Sequence, residues 1–509
     1  MLALVWPHNP GSAAQLVFFA IGALSMVLSA IVARSYTALC LTAFLWLGLW
    51  LKFIVHLFYL PALIEPIGEF DGSVGQYDLV MLASGIAFCA TALAFLMAPM
   101  LRLSTITLGL GAANLSNRFV WSQFWTYLAL LGLCIGIALL NIKLGIFQVG
   151  IAPLTILPKP GNALISLFLT TGYFFVLSYF ILCDRVKGNS LVVGVITLIF
   201  CAALMSSSLL SRGVVVFHLM AVLLALAGIA WQQRTGRALL LLVGALILSG
   251  AAVFATVRNV EDGREVGYAP KSEVIARLPI AGLSSAPNST PSAGVVNNSD
   301  AVGGTNKATA RTTFRTAVEA AIKLHAEEKS GTGKVISELA LRRWLGVEGA
   351  MVAAGNKSNS PALLASMLSE RSAIGQTSQY QHLAGSPYVL LNGKQFQFAT
   401  LPGPVGTFLF GGSVIYVFFG MLVLCLLAMA MEKLSQVLGQ NVFVTCFVAV
   451  FAANSVAQFG LTPLSQLPQI GYMLVLLLGF WGARLIAPHV AGTPLRHLVP
   501  ALPRRAEGG

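Results

Sequence analysis

The sequence predicts an all-α polytopic membrane protein, with about eleven transmembrane helices and one large extracytoplasmic helical loop. Three observations predict it. Of 509 residues, 57% are hydrophobic and only 10% are charged, against about 25% charged in soluble domains. Apolar stretches of roughly 20 residues, enough to cross a bilayer as a helix, recur from end to end. Those stretches lack the period-two alternation of a membrane barrel.

The spans fall at about residues 12–33, 36–60, 78–99, 122–140, 162–183, 190–210, 213–231, 238–257, 406–430, 441–459 and 469–486. The first has no basic region before it and a second span directly after it, so it reads as a retained helix rather than a cleaved signal. Twelve lysines and arginines, from Arg34 to Arg505, collect in connections on one side, against Lys143, Lys159 and Arg212 on the other. The basic side is cytoplasmic by the positive-inside bias, which puts the N-terminus outside and the tail, residues 487–509, inside. The net charge of +13 therefore reflects membrane-flanking loops and implies no nucleic acid. The seven cysteines all lie in or beside spans and read as small apolar fillers rather than a disulfide framework or a metal site.

Residues 258–405 form the loop between the first eight spans (within residues 1–257) and the last three (406–486). Within it, residues 283–310 are rich in Ser, Asn, Gly and Ala and predict a flexible segment. Helices are expected over 311–329, 335–354 and 360–371, the last opened by Ser360 as N-cap and Pro361 at its first position. The loop reads as a small helical cap over the outer face.

Asp and Glu are absent from the span interiors. The ionisable groups there are Lys52, His56 and His218, with Arg212 and Arg258 at span ends. Intramembrane ionisable residues are functional candidates by default. A rise of 1.5 Å per residue sets Lys52 roughly 12 Å, His56 roughly 6 Å and His218 roughly 8 Å below the outer boundary. Lys52 and His56, four residues apart, share a helix face. Together the five suggest an outward-facing cationic cavity without carboxylates, suited to phosphate oxygens. Structural alternatives stand beside this: Lys52 as a snorkelling side chain, the histidines as interhelical hydrogen-bonding residues, and Arg258 as an interfacial arginine. In the cap, Arg342, Arg343 and Trp344 either clamp a diphosphate and stack on a sugar or stabilise a helix that Gly346 ends. GLGAAN (109–114) and EEKSGTGKV (327–335) fail as nucleotide motifs, and no metal or other cofactor is expected.

SSSLLSRG (206–213) before an apolar span, a long outer loop, and then LPGPVGTFLFGGSVIYVFFGMLVLCLL (401–427) resemble bacterial O-antigen polymerases and related polysaccharide polymerases and ligases. The likeness covers architecture over most of the chain. It implies a metal-independent glycosyltransferase of the inner membrane, with its large loop in the periplasm. Its substrate would be undecaprenyl-diphosphate-linked glycan, and its partners membrane lipids, a flippase and a chain-length regulator. Arg212 matches an outer-loop arginine of that family, and Arg342 or Arg343 a second. The catalytic expectation comprises Arg212, Arg342, Arg343, His382 and Glu348; the substrate-binding one comprises Lys52, His56, His218, Arg258 and Trp344. His382, Glu348 and Glu370 are alternative bases. A single large outer loop departs from many polymerases, and His382 in QYQHLAG is only a loose match to the ligases' histidine motif. A lipid-linked glycan transporter, a ligase and a non-catalytic sensor or assembly factor remain open readings.

Overall fold

The computed structural model describes residues 9–58, 66–103, 123–151, 153–158, 160–186, 189–233, 235–277, 346–371, 376–386, 401–460 and 463–490; the side chains of 186, 261–277, 463, 465 and 484–490 fall outside the description. The chain divides into two compact units, Met1–Val260 with Trp344–Gly509, and Glu261–Arg343. The expected flexible segment 283–310 and the expected helix 311–329 lie outside the described residues. So do Arg342, Arg343, Trp344 and the tail beyond residue 490.

The first unit is helical, with no β-strand among its described residues. Its long helices are α1 (Ala13–Ala33), α2 (Tyr36–Phe58), α3 (Val74–Met100), α4 (Gln123–Leu144) and α5 (Gly161–Leu167, a wide π turn Phe168–Gly172, then Tyr173–Val186). They continue with α6 (Val192–Ser208), α7 (Arg212–Gln233) and α8 (Gly236–Arg277), of which the part up to Val260 belongs to this unit. Three short helices follow, α9 (Val347–Gly355), α10 (Pro361–Ser369) and α11 (Gln379–Leu383). The chain then forms α12 (Gly403–Leu409), α13 (Val414–Gly439), α14 (Val442–Ala457) and α15 (Pro463–Val490). Nine helices among the described residues are long and apolar enough to cross a membrane. Ten of the predicted spans fall on one helix each and the span 406–430 on two, and α6 and α14 have only 17 and 16 residues. At 1.5 Å per residue these are roughly 26 and 24 Å long, short of the ~30 Å hydrocarbon core.

The helices bury one connected apolar core. α1 packs along α3, α13 against both α3 and α14, and α14 against α2 and α7. Small residues allow this closeness, as is general where helices meet in an apolar medium: the carbonyl of Gly85 lies 3.0 Å from where a Cβ on Gly22 would sit. The turn from α1 to α2 is tied down by Glu432 of α13. Its carboxylate accepts from the Ser35 hydroxyl (2.6 Å) and from the amides of Tyr36 (3.0 Å) and Thr37 (2.7 Å), the open N-terminal donors of α2.

Two expectations change. The predicted span 406–430 is split: α12 ends at Leu409, and α13 begins after Ser413, whose hydroxyl accepts from the Ile415 amide. The predicted helix 335–354 does not run through Gly346, whose φ of +152° lies in the region that favours glycine; α9 starts after it.

Moreover, α9 is no surface cap. Every residue of α9 except the half-buried Ala354 is buried, against α3, the wide turn of α2 and α12. A Cβ on Gly349 would overlap the carbonyl of Pro402, and one on Gly406 would overlap the backbone of Gly349. The two short helices therefore touch backbone to backbone, through glycine. α12 in turn covers the end of α14, where the Thr407 hydroxyl lies 3.4 Å from the Phe459 carbonyl. Outside this pair, Ser360 donates its amide to the Phe410 carbonyl (2.9 Å), and Gly68 to that of Ala384 (3.0 Å). The helix predicted at 360–371 is present as α10, with the Ser360 hydroxyl accepting from the Leu363 amide.

Candidate functional site

Of the expected groups, Lys52 and Glu348 meet where α9 packs on α2. α2 contains a wide π turn, Trp46–Leu51, and Lys52 opens the α-helical turn after it. Such bulges recur at functional sites. Gly346 docks on this turn; a Cβ there would meet the Leu49 side chain and the Gly48 carbonyl. Two residues on, Glu348 enters the first turn of α9, where the helix dipole favours a carboxylate. It forms an ion pair with Lys52; the two are 2% and 4% exposed. The expected cationic cavity without carboxylates is thus not what surrounds Lys52. The lysine neither snorkels nor stands as a lone charge, and the acid beside it comes from a segment expected on the surface.

One turn along α2, His56 is buried, and its Nε2 lies 3.0 Å from the Tyr77 hydroxyl of α3. Its Nδ1 has no hydrogen-bond partner among the described residues. His218 in α7 is held differently. Its Nε2 lies 3.0 Å from the Thr170 carbonyl, within the π turn of α5, and its Nδ1 lies 3.0 Å from the Tyr173 hydroxyl. A carbonyl only accepts, so Nε2 donates and Nδ1 accepts from the tyrosine. The ring also stacks on Phe447 at 5.0 Å. Both nitrogens are used within the bundle, the arrangement of a helix-joining residue rather than of a ligand.

Arg212 is the first residue of α7 and is half-buried, with Nε out of reach of solvent. The turn before it is braced: the Ser206 hydroxyl donates to the Ser211 carbonyl and accepts from the Val215 amide at 3.0 Å. Asn141 of α4 donates to the Ser208 hydroxyl (2.8 Å) and to the Phe147 carbonyl (2.9 Å). The SSSLLSRG stretch is therefore a rigid mount for the guanidinium. Arg258 lies apart, exposed, its guanidinium 5.5 Å from the centroid of the Phe254 ring one turn back. His382 is exposed on α11, with Nε2 2.8 Å from the Thr377 hydroxyl. Glu370 accepts from the Gln379 amide at 2.9 Å.

Of the expected set, then, the structure brings together Lys52 and Glu348, with His56 one turn further along α2. It gives His218 a separate packed setting and leaves Arg258 and His382 on the surface. Tyr77, Tyr173 and Asn141 were absent from the sequence reading; single hydroxyls and amides in apolar runs give no periodic signal. None of the seven cysteines is in a disulfide. Outside the spans, the Asp71 carboxyl is held below the usual carboxylate range by the backbone amide and hydroxyl of Ser73.

Fold and site together define an all-α polytopic membrane protein. Compared with known proteins, the chain matches no family model, no curated protein and no solved structure.

Proposed function

We propose that the protein is a membrane glycosyltransferase of the polysaccharide polymerase type, joining oligosaccharide units carried on undecaprenyl diphosphate. On this reading it sits in a bacterial inner membrane, with the long loop and the α9–α12 end facing the periplasm. The observation that carries the proposal is the setting of Arg212. A guanidinium in the first turn opposes the helix dipole, whereas an anion there suits both the dipole and the open amides. A diphosphate at this position would receive a planar fork of donors from the guanidinium. An acceptor hydroxyl attacks the anomeric carbon, the bond from that carbon to the diphosphate oxygen breaks, and the lipid diphosphate leaves. Charge grows on the leaving group, so a cation mounted beforehand stabilises the transition state more than the ground state. Exposed His382 is the base with open access to an acceptor; Glu348 is committed to Lys52, and Glu370 to the Gln379 amide.

Arg212→Lys keeps the charge and loses the fork. The expected result is a fall in product of about 100-fold or more, with normal protein level and melting temperature, when purified protein is incubated with a defined lipid-linked repeat unit and the product ladder is measured. An unchanged ladder would overturn the role of Arg212.

One observation favours a second reading, a lipid-linked glycan transporter. Buried carboxylates and short interrupted helices inside a bundle are frequent in transporters, and Glu348 on α9 supplies both. Reconstituted vesicles separate the two: a transporter moves labelled lipid-linked sugar to the opposite leaflet, whereas a polymerase lengthens it on one face.

A further inference from the structure

Glu348 is the one charged or hydrogen-bonding side chain in α9, whose sequence is VEGAMVAAG. Among the described residues its ion pair with Lys52 is therefore the only polar link made by a side chain of this helix. Among the described residues the other contacts of α9 are apolar or through its backbone, including the Ala353 carbonyl, which accepts from the Asn359 side-chain amide at 2.6 Å. The helix is anchored at one end on the wide turn of α2, a place where the regular helical ladder is already interrupted. At its other end the chain passes into Lys357 and Ser358, both exposed. Outward movement of α9 would thus carry Glu348 towards water. Lysine is a point charge on a flexible stem and can change partner without the geometric demands of an arginine fork.

We propose that the Lys52–Glu348 pair is a displaceable lock on α9, opened when a phosphate-bearing anion takes the place of Glu348 at Lys52. The proposal rests on the reading of a diphosphate substrate and adds the regulation of that site. With the lock closed, both charges are matched within the bundle and α9 fills the space beside α2 and α3. With the anion on Lys52, the Glu348 carboxylate loses its counter-ion and is expelled with its helix. The anion shifts this equilibrium because it binds Lys52 only in the opened state; a ligand that bound both states alike would move nothing.

The test uses the full-length protein in lipid nanodiscs, with a cysteine reporter in α9, Met351→Cys, read by a membrane-impermeant maleimide. Met351 is fully buried, so labelling is slow when the lock is closed. Inorganic pyrophosphate is expected to speed labelling by about tenfold, and Lys52→Met/Glu348→Met to abolish that response while keeping the melting temperature. Glu348→Gln alone is expected to label quickly without pyrophosphate, which covers the case in which the double variant fails to fold. Labelling that ignores pyrophosphate, that responds equally in the double variant, or that stays slow in Glu348→Gln would each overturn the lock. The product ladder on the same preparation separates the two ideas. A ladder formed while Met351→Cys stays protected sinks the lock alone; pyrophosphate-dependent labelling without a ladder sinks the polymerase alone.

Discussion

Glu348 and Glu432 are both carboxylates sealed inside one apolar bundle, 2% and 0% exposed, yet they are satisfied by opposite means. Glu432 accepts from one hydroxyl and two backbone amides at the start of α2. Those donors are part of the fold and cannot be exchanged without undoing a helix end. Glu348 faces a cation on a long, flexible side chain. A buried charge fixed by a hydroxyl and by backbone amides at a helix end behaves as a structural staple. A buried charge balanced by one counter-ion holds only while that counter-ion stays, and so its position is suited to change.

Removing one partner tests this contrast most strongly. Glu348→Ala leaves Lys52 charged and buried without its counter-ion and should destabilise the protein by about 3–5 kcal/mol, read as a loss of melting temperature in detergent. Replacing both partners, Lys52→Met/Glu348→Met, should avoid most of that loss, since an apolar pair of similar volume is often neutral in place of a buried ion pair. Failure of the rescue would mean that Glu348, like Glu432, is held by more than its ion.

Glu432→Gln should cost less, roughly 1.5–3 kcal/mol, the worth of hydrogen bonds to a charged acceptor. The new amide presents N–H to donors, and no substitution elsewhere can rescue it where the partners are backbone amides. A single side-chain change that restored the melting temperature would erase the distinction.

The smallest effect belongs to Asp71, an exposed carboxylate outside the spans. Its folded pKa is lowered by the Ser73 amide and hydroxyl. Its contribution is therefore present above the unfolded carboxylate value, roughly pH 4, and is lost as pH falls through the lower folded value. Asp71→Asn should narrow the gap in melting temperature between pH 6 and pH 3 slightly, and should do nothing to the pyrophosphate response of α9.

Much of the fold was legible because span length and apolarity are written over windows of 20 residues. The breaks were harder to read. Residues 401–427 look continuous to any hydropathy average, although GGS at 411–413 and the Ser413 cap mark the interruption. The burial of α9 was missed because VEGAMVAAG is short, and its one acid made it look like surface. Its true signal is smallness: Gly349 and Gly406 are placed where two backbones touch, which only the partner segment, more than fifty positions away, could reveal. The site was legible in part. Lys52 stood out as an ion in an apolar run, but its partner came from a segment read as a cap. His218 was visible for the same reason, while the π turn that offers it the Thr170 carbonyl leaves no mark in composition.

The shortness of α14 has a consequence for how the molecule meets its surroundings. Its end is covered by α12, where the Thr407 hydroxyl lies 3.4 Å from the Phe459 carbonyl, so a bilayer need not thin there to match its length. The rim differs: α4, α8 and α15 turn most of their surface outward, and any strain from a thicker or thinner bilayer will fall on them first.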